Sequence, residues 1–571
     1  MDEGRSRSRW TIDALAVAGY LAGAVLLCGR LLAHPGQRLP YTPGDRVLAE
    51  YFLTWAARCV RTASNPFVLD RLNAPAGVNG MANTTMLGLG LPLSPVTLLF
   101  GPGIAFDLLV VLTLAATGAT WYWLLSRHVV GRRGAAWVGG LVAAFAPSVA
   151  NHATFHPNLT AQFLVPVIVW RVVKLRDAPV RGGLILAALV VWQVFVNEET
   201  LFITALATGV CGLLWLAQRP REVRLPSVLA GLGVTLLATA VVLAYPLWWQ
   251  FFGPNAYRGG EKQMTAFHTD LLGLTSFSRN SVAVRFSEFQ PAPGFSAEQH
   301  GYFGWPLVIA VAAVVVWRWR EPLVRSVAVT GAVFAVLSFG TELTLYNRGT
   351  GIPGPYALLN HLPLFDTLLP TRLGEAATWA VAPLVAIGLD RLPAPDGTAR
   401  SIRVLTAGLV AAVLVPAAPV PIKVIDRPAV PAFIASGQWR SYVRAEESVL
   451  VVPLATFEHW TSMSWATATG ADMRMSHGYF LGPAGGVRGS HAAVGAPVRP
   501  TDRLINAATG SRQVTAVTDV DREQARLDLA YWRTSIILAP DGAGAAAERG
   551  TLDALFGPGR LVGGLWLWDV R

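Results

Sequence analysis

The chain has 571 residues, 53% of them hydrophobic and 14% charged, with a mean hydropathy of +0.44 and a formal net charge of +11. That balance excludes an ordinary soluble globular protein and gives most of the chain lipid as its solvent. The positive charge does not mark a nucleic-acid binder, because the arginines fall in short clusters between apolar runs and form no continuous stripe or aromatic-interleaved patch.

The first apolar run, 12–32, follows Arg5, Arg7 and Arg9. It is too long for the apolar core of a signal peptide and lacks a cleavage site, so it reads as a retained span. A crossing needs about 20 apolar residues, since about 30 Å of hydrocarbon is traversed with every backbone group bonded internally. Further spans are expected at 104–126, 134–150, 158–175, 182–197, 199–217, 225–250, 304–319, 322–340, 372–390 and 403–421, about eleven in all. With the N-terminus in the cytoplasm, the short loops carrying Arg127, Arg132 and Arg133, then Lys174, Arg176 and Arg181, then Arg219, Arg221 and Arg224, then Arg318, Arg320 and Arg325, and last Arg391, Arg400 and Arg403 all fall on the inner side. Counting 84–101 as a span would reverse this, and with Pro92 and Pro95 inside it that segment reads as an interfacial or re-entrant helix.

These readings define an α-helical polytopic domain, 1–421, with outer loops 33–103, 251–303 and 341–371, and an extracytoplasmic α/β or α+β domain, 422–571. In the first loop, Leu48 to Thr62 places Leu48, Phe52, Trp55, Cys59 and Val60 near one helical face, with Glu50, Arg58 and Arg61 away from it, as for a helix lying on the membrane surface. In the tail, 449–455 and 535–540 read as strands, Asp521 to Trp532 as a helix and LWLWDVR as a terminal strand. Cys28, Cys59 and Cys211 show no metal or disulfide spacing and are read as packing residues.

Asp45, in TPGDR, stands just beyond the first span, where partial desolvation would raise its basicity and suit it to general-base work; the competing reading is an N-cap for the following helix. Glu50 follows five residues later, about 140° around a helix, so a metal shared by the two is not expected. Asn197, Glu198 and Glu199 lie between apolar runs at the outer end. Burying a carboxylate at membrane depth costs about 2.5–3.5 kcal/mol, so they either line a polar cavity or form a solvated hairpin. His152 and His156, in NHATFHPNL, have the i, i+4 spacing that suits a divalent cation, a hydrogen-bonded phosphate or sugar, or a plain polar turn, and Asn158 joins them as a pocket wall. Arg372, at the mouth of the tenth span, stands against the general arginine distribution and reads either as a phosphate clamp or as a snorkelling cation. Tyr356, His361 and Asp366, and Arg258, Glu261 and Lys262, are further loop candidates. The tail segments 458–460 and 476–483 set aromatics beside polar groups, which fits either carbohydrate stacking or an aromatic core. No P-loop, Rossmann glycine run or GxSxG elbow is present.

The acid in the first outer loop, the helix after it, the span count and the C-terminal domain together resemble the C-type glycosyltransferase (GT-C) superfamily. More narrowly, GDRVLAEYFLTW, NPFVLDRLNAPAGVNGMANT and IPGPYALLNHLPLFDTLLPTR look like a family of actinobacterial membrane proteins labelled glycosyltransferases, and only Lys174, Lys262 and Lys423 being lysines suits a GC-rich genome. The resemblance implies a plasma-membrane enzyme that takes a sugar from a polyprenyl-phosphate carrier to a cell-envelope glycan or lipid acceptor. Asp45 would be its base, with Arg46, Glu50, His152, His156, Asn158, Glu198, Glu199, Tyr356 and Arg372 around the substrates. It departs from members that carry two neighbouring acids; no residue is assigned as a metal ligand, and a divalent cation stands as the alternative to no cofactor. The alternative is a non-catalytic scaffold, or a transporter of a lipid-linked intermediate, although no internal repeat supports transport.

Overall fold

The computed structural model describes residues 2–260, 267–286, 298–392 and 400–571, with the backbone alone described at 2–9, 400, 402–403 and 543. Glu261 and Lys262 lie outside the described residues, as do the side chains of Arg400 and Arg403. The chain divides into two compact units: Met1–Ala33 with Asp107–Leu243 and Lys262–Lys423, and His34–Phe106 with Ala244–Glu261 and Val424–Arg571.

The expected apolar segments are helical: Asp2–Leu32, Pro102–His128, Arg133–Phe145, Val165–Lys174, Pro179–Val196, Glu198–Gln218, Leu225–Phe252, Trp305–Arg318, Pro322–Leu337, Gly374–Arg391 and Arg400–Leu414. Among the described residues six helices are long and apolar enough to cross a membrane, or seven if the bent pair Arg133–Phe145 and Pro147–Thr154 is one span. That bend has a local cause: Ala146 precedes Pro147 and is driven out of the helical region to ψ 155°. The segment expected to span 158–175 begins its helix only at Val165, after the short turn Pro157–Thr160 and an irregular Ala161.

The first unit is built around the Gly374–Arg391 helix, which is buried along most of its length. Small residues let its neighbours approach. A Cβ on Gly139 would come within 3.0 Å of the Ala382 carbonyl and the Ala386 methyl, one on Gly331 within 2.5 Å of the Ala380 methyl, and one on Gly388 within 2.5 Å of Val314. Such close crossings are how helices gain packing where lipid supplies no hydrophobic drive. The Arg133–Phe145 helix packs on this central helix, and the backbone N–H of Arg132 donates to Asp390 at 2.7 Å. Asp13, near the start of the first helix, accepts from Tyr122 and Arg127, each at 2.6 Å, and from Arg133. Arg391 meets Glu321 at 4.0 Å. The loops bearing Arg127, Arg132, Arg133, Arg318 and Arg391 thus gather at one end of this unit. Arg372 and the start of the central helix mark the other.

The second unit holds a four-stranded sheet in the order Arg560–Val562, Leu565–Asp569, Thr534–Pro540, Ser448–Val451, with the last pair parallel and the others antiparallel. The strands and the Asp519–Trp532 helix fall where the tail's pattern places them. Leu450, Ile537, Trp532 and Trp568 pack in one apolar cluster, the aromatic-core reading of the last two. Arg38–Pro40 pairs with Val424–Asp426, and the Gly44–Thr62 helix packs on Leu87–Phe100 and on Thr461–Ala468. The surface-helix expectation is corrected here, because Tyr51, Leu53, Trp55 and Glu50 are all buried and the helix is enclosed by protein on more than one face.

Candidate functional site

In the first unit, a turn at Asn151–Thr154 sets the backbone N–H of His156 on the carbonyl of His152 at 2.8 Å, which brings the two Nδ1 atoms to 3.0 Å. His152 is fully buried, and its Nε2 lies 3.0 Å from Nε2 of His300. That His300 nitrogen also meets Glu298 Oε2 at 3.0 Å. Arg372 grips Glu298 with two prongs, Nε to Oε2 at 3.0 Å and Nη2 to Oε1 at 2.7 Å, and donates through Nη1 to Glu199. Burial opposes ionisation of Glu298, but Arg372 and the hydrogen bonds from His300 and Arg372 outweigh it and hold the carboxyl well below the ordinary carboxylate range. Glu375, one turn along from Arg372, is fully buried and accepts from Thr200 at 3.4 Å.

This cluster joins four sequence candidates, His152, His156, Glu199 and Arg372, and adds Glu298, His300 and Glu375, which the sequence reading passed over. Two signals were available: an acid two residues from a histidine in EQH, and a carboxylate set inside an apolar span. Asn197 is the N-cap of the Glu198–Gln218 helix, accepting from the N–H of Thr200 at 2.9 Å, so Glu198 and Glu199 occupy a first turn whose dipole favours them. Asn158 is buried in the turn that follows His156. The expected substrate role of Tyr356 is corrected: its ring is fully buried and its hydroxyl donates to the Phe365 carbonyl at 2.6 Å. The guanidinium of Arg372, expected to clamp a phosphate or to snorkel, is engaged by two protein carboxylates.

In the second unit, Asp45 is half-buried in the first turn of the Gly44–Thr62 helix, whose N-cap is Pro43, so the N-cap reading of Asp45 does not hold. Tyr479 donates its hydroxyl proton to Asp45 Oδ1 at 2.7 Å. The Tyr479 ring meets Phe457 edge-on, with centroids 6.5 Å apart. Gly44 is required because any Cβ would run into the Phe457 carbonyl and ring. One of the two tail segments that the sequence marked for carbohydrate stacking, 476–483, therefore borders this acid through Tyr479. Arg46 and Glu50, expected at the substrate, are corrected: both are fully buried, paired at 2.9 Å, with Arg427 joining Glu50 at 2.6 Å and Arg46 lying 4.4 Å over the Phe106 ring. Burial opposes ionisation of Glu50, yet Arg427 and Arg46 hold its carboxyl below the ordinary range.

Taken over the whole chain, the fold is similar to that of solved C-type glycosyltransferases. It overlays on the arabinofuranosyltransferase AftD from Mycobacteria at a TM-score of 0.59 and 16% identity, over 98% of this chain and 41% of AftD. It also overlays on ArnT from Cupriavidus metallidurans at 0.50 and 13% identity, over 99% of this chain and 98% of ArnT. The chain thus spans about two fifths of the length of AftD. No curated protein matches it in sequence. The chain belongs to the family described as Domain of unknown function (DUF6311), whose profile matches residues 41–365, more than half its length.

Proposed function

We propose that this protein is a membrane glycosyltransferase that moves a sugar from a polyprenyl-phosphate carrier to a cell-envelope glycan or lipid acceptor on the outer face of the plasma membrane. The observation that carries the reading is Asp45, half-buried, outside the N-cap position and held at one oxygen by Tyr479, in a chain with the GT-C fold. In this reading the Asp45 carboxylate takes the proton of the acceptor hydroxyl as its oxygen attacks the anomeric carbon and the carrier phosphate departs, with inversion. Tyr479 fixes the rotamer of the base, a positioning role. Arg46, Glu50 and Arg427 brace the helix that presents it and touch no substrate in this reading.

The gathering of basic loops at one end of the first unit supports an orientation with those loops and the N-terminus in the cytoplasm and about eleven spans. The imidazole and carboxylate cluster at the opposite end then faces outward, with Glu198 and Asn158 beside it as pocket walls. The strong preference for arginine over lysine supports an actinobacterial source.

Asp45→Asn keeps the shape of the side chain and the bond from Tyr479 but removes the base. It is expected to abolish rescue of a strain lacking the gene, with turnover down about 10²–10⁴-fold, while membrane insertion stays unchanged. In the same strain a lipid-linked sugar should accumulate or an envelope glycan shorten. Full rescue by Asp45→Asn would make the protein a non-catalytic scaffold.

A further inference from the structure

We propose that His152, His156 and Glu298 bind a divalent transition-metal ion of the zinc class. One donor atom from each lies within 4.8 Å of the others. Ligands held about 2.0–2.2 Å from one ion stand roughly 3–4.4 Å apart, so small side-chain adjustments close the site. Two imidazoles and one carboxylate are borderline donors, which suit zinc and its neighbours rather than calcium or magnesium with their oxygen shells. Three protein ligands leave a coordination position for water or an incoming oxygen.

Charge and proton placement point the same way. Glu199 and Glu298 share Arg372 as the one fixed cation among the described side chains of the cluster, so with neutral imidazoles the pair of carboxylates leaves net negative charge there, which favours a cation. Nε2 of His300 lies 3.0 Å from both Glu298 Oε2 and His152 Nε2. One ring nitrogen carries either one proton or one lone pair, so without an ion it must share a single proton between the two. An ion taken by Glu298 and His152 removes that competition and frees the single His300 proton to sit on Nδ1 instead. Nδ1 of His300 and Oε1 of Glu375, 3.9 Å apart, are buried without a hydrogen-bond partner among the described residues, and a proton moved to that nitrogen would face Glu375. Arg372 holds Glu298 from one side, fixing the carboxylate while its remaining lone pairs stay available to the ion.

The site stands without the transfer reaction, and its test needs no donor. The full chain is purified in detergent, stripped with a chelator and reloaded with Zn²⁺ or Co²⁺, then followed by elemental analysis, the visible Co²⁺ spectrum and thermal unfolding. Expected are near-stoichiometric metal, a Co²⁺ band of low-coordinate type and a rise in Tm on loading. His156→Ala and Glu298→Gln should each weaken Co²⁺ binding by about 100-fold or more, whereas His34→Ala, on an exposed histidine, should leave it intact. Wild-type protein that takes up no more Zn²⁺ or Co²⁺ than His156→Ala, with no band and no gain in Tm, overturns the site and leaves a hydrogen-bonded chain of imidazoles. That readout uses the wild type, so a variant that fails to fold does not obscure it, and it is independent of whether Asp45→Asn abolishes transfer.

Discussion

At the scale of single residues, position in the sequence and chemical role part company. Asp45 and Glu50 sit five residues apart on one helix, yet Tyr479 holds the first in a half-buried setting while Arg46 and Arg427 seal the second in the protein. Tyr479→Phe removes the hydroxyl that fixes the Asp45 rotamer, so kcat is expected to fall about 10-fold with KM little changed, measured with the purified enzyme and its donor. An unchanged kcat would separate Tyr479 from the base. Glu50 belongs to stability instead. Its carboxyl is held below an unfolded value of about 4.3, so its contribution is complete above that pH and disappears as pH falls through the lower folded value. In thermal unfolding of the solubilised protein, the gap in Tm between wild type and Glu50→Gln is therefore expected to be widest near pH 7 and to close on acidification.

Helices and turns decide which of these residues meet. The central Gly374–Arg391 helix carries Glu375 inward, and Gly139, Gly331 and Gly388 let three helices close upon it. Gly331→Leu drives a branched chain into the Ala380 methyl and is expected to destabilise the protein by about 1–3 kcal/mol, read as a fall in Tm and in folded yield. A wild-type Tm would mean that the crossing tolerates separation. The break at Ala146 and Pro147 has a second effect: it ends one helix early enough for the Asn151–Thr154 turn to present both His152 and His156 to the same neighbours.

For the molecule as a whole the governing quantity is sidedness. In a chain with Cys28, Cys59 and Cys211 replaced, His128→Cys beside the basic loop is expected to resist a membrane-impermeant maleimide in intact cells and to react after permeabilisation. Val520→Cys, at a position 78% exposed in the second unit, should react in intact cells. The reverse pattern would place Asp45 in the cytoplasm and remove the lipid-carrier reading. Asp45 belongs to the second compact unit and the imidazole cluster to the first, so each chemical feature is anchored in its own core.

The sequence by itself determined where the apolar helices lie and where the tail's strands begin, because hydropathy and periodicity are local properties of 10–20 residues. It also singled out Asp45, His152, His156, Glu199 and Arg372, since a charge or imidazole beside an apolar run stands out against its neighbours. Only the tertiary structure decided that Arg46, Glu50 and Tyr356 are sealed in the interior, that Arg372 is held by Glu199 and Glu298, and that His300 and Glu375 complete the cluster. Those facts depend on contacts between segments separated by tens to hundreds of residues, and burial and pairing there are set by helix packing, which no local pattern encodes.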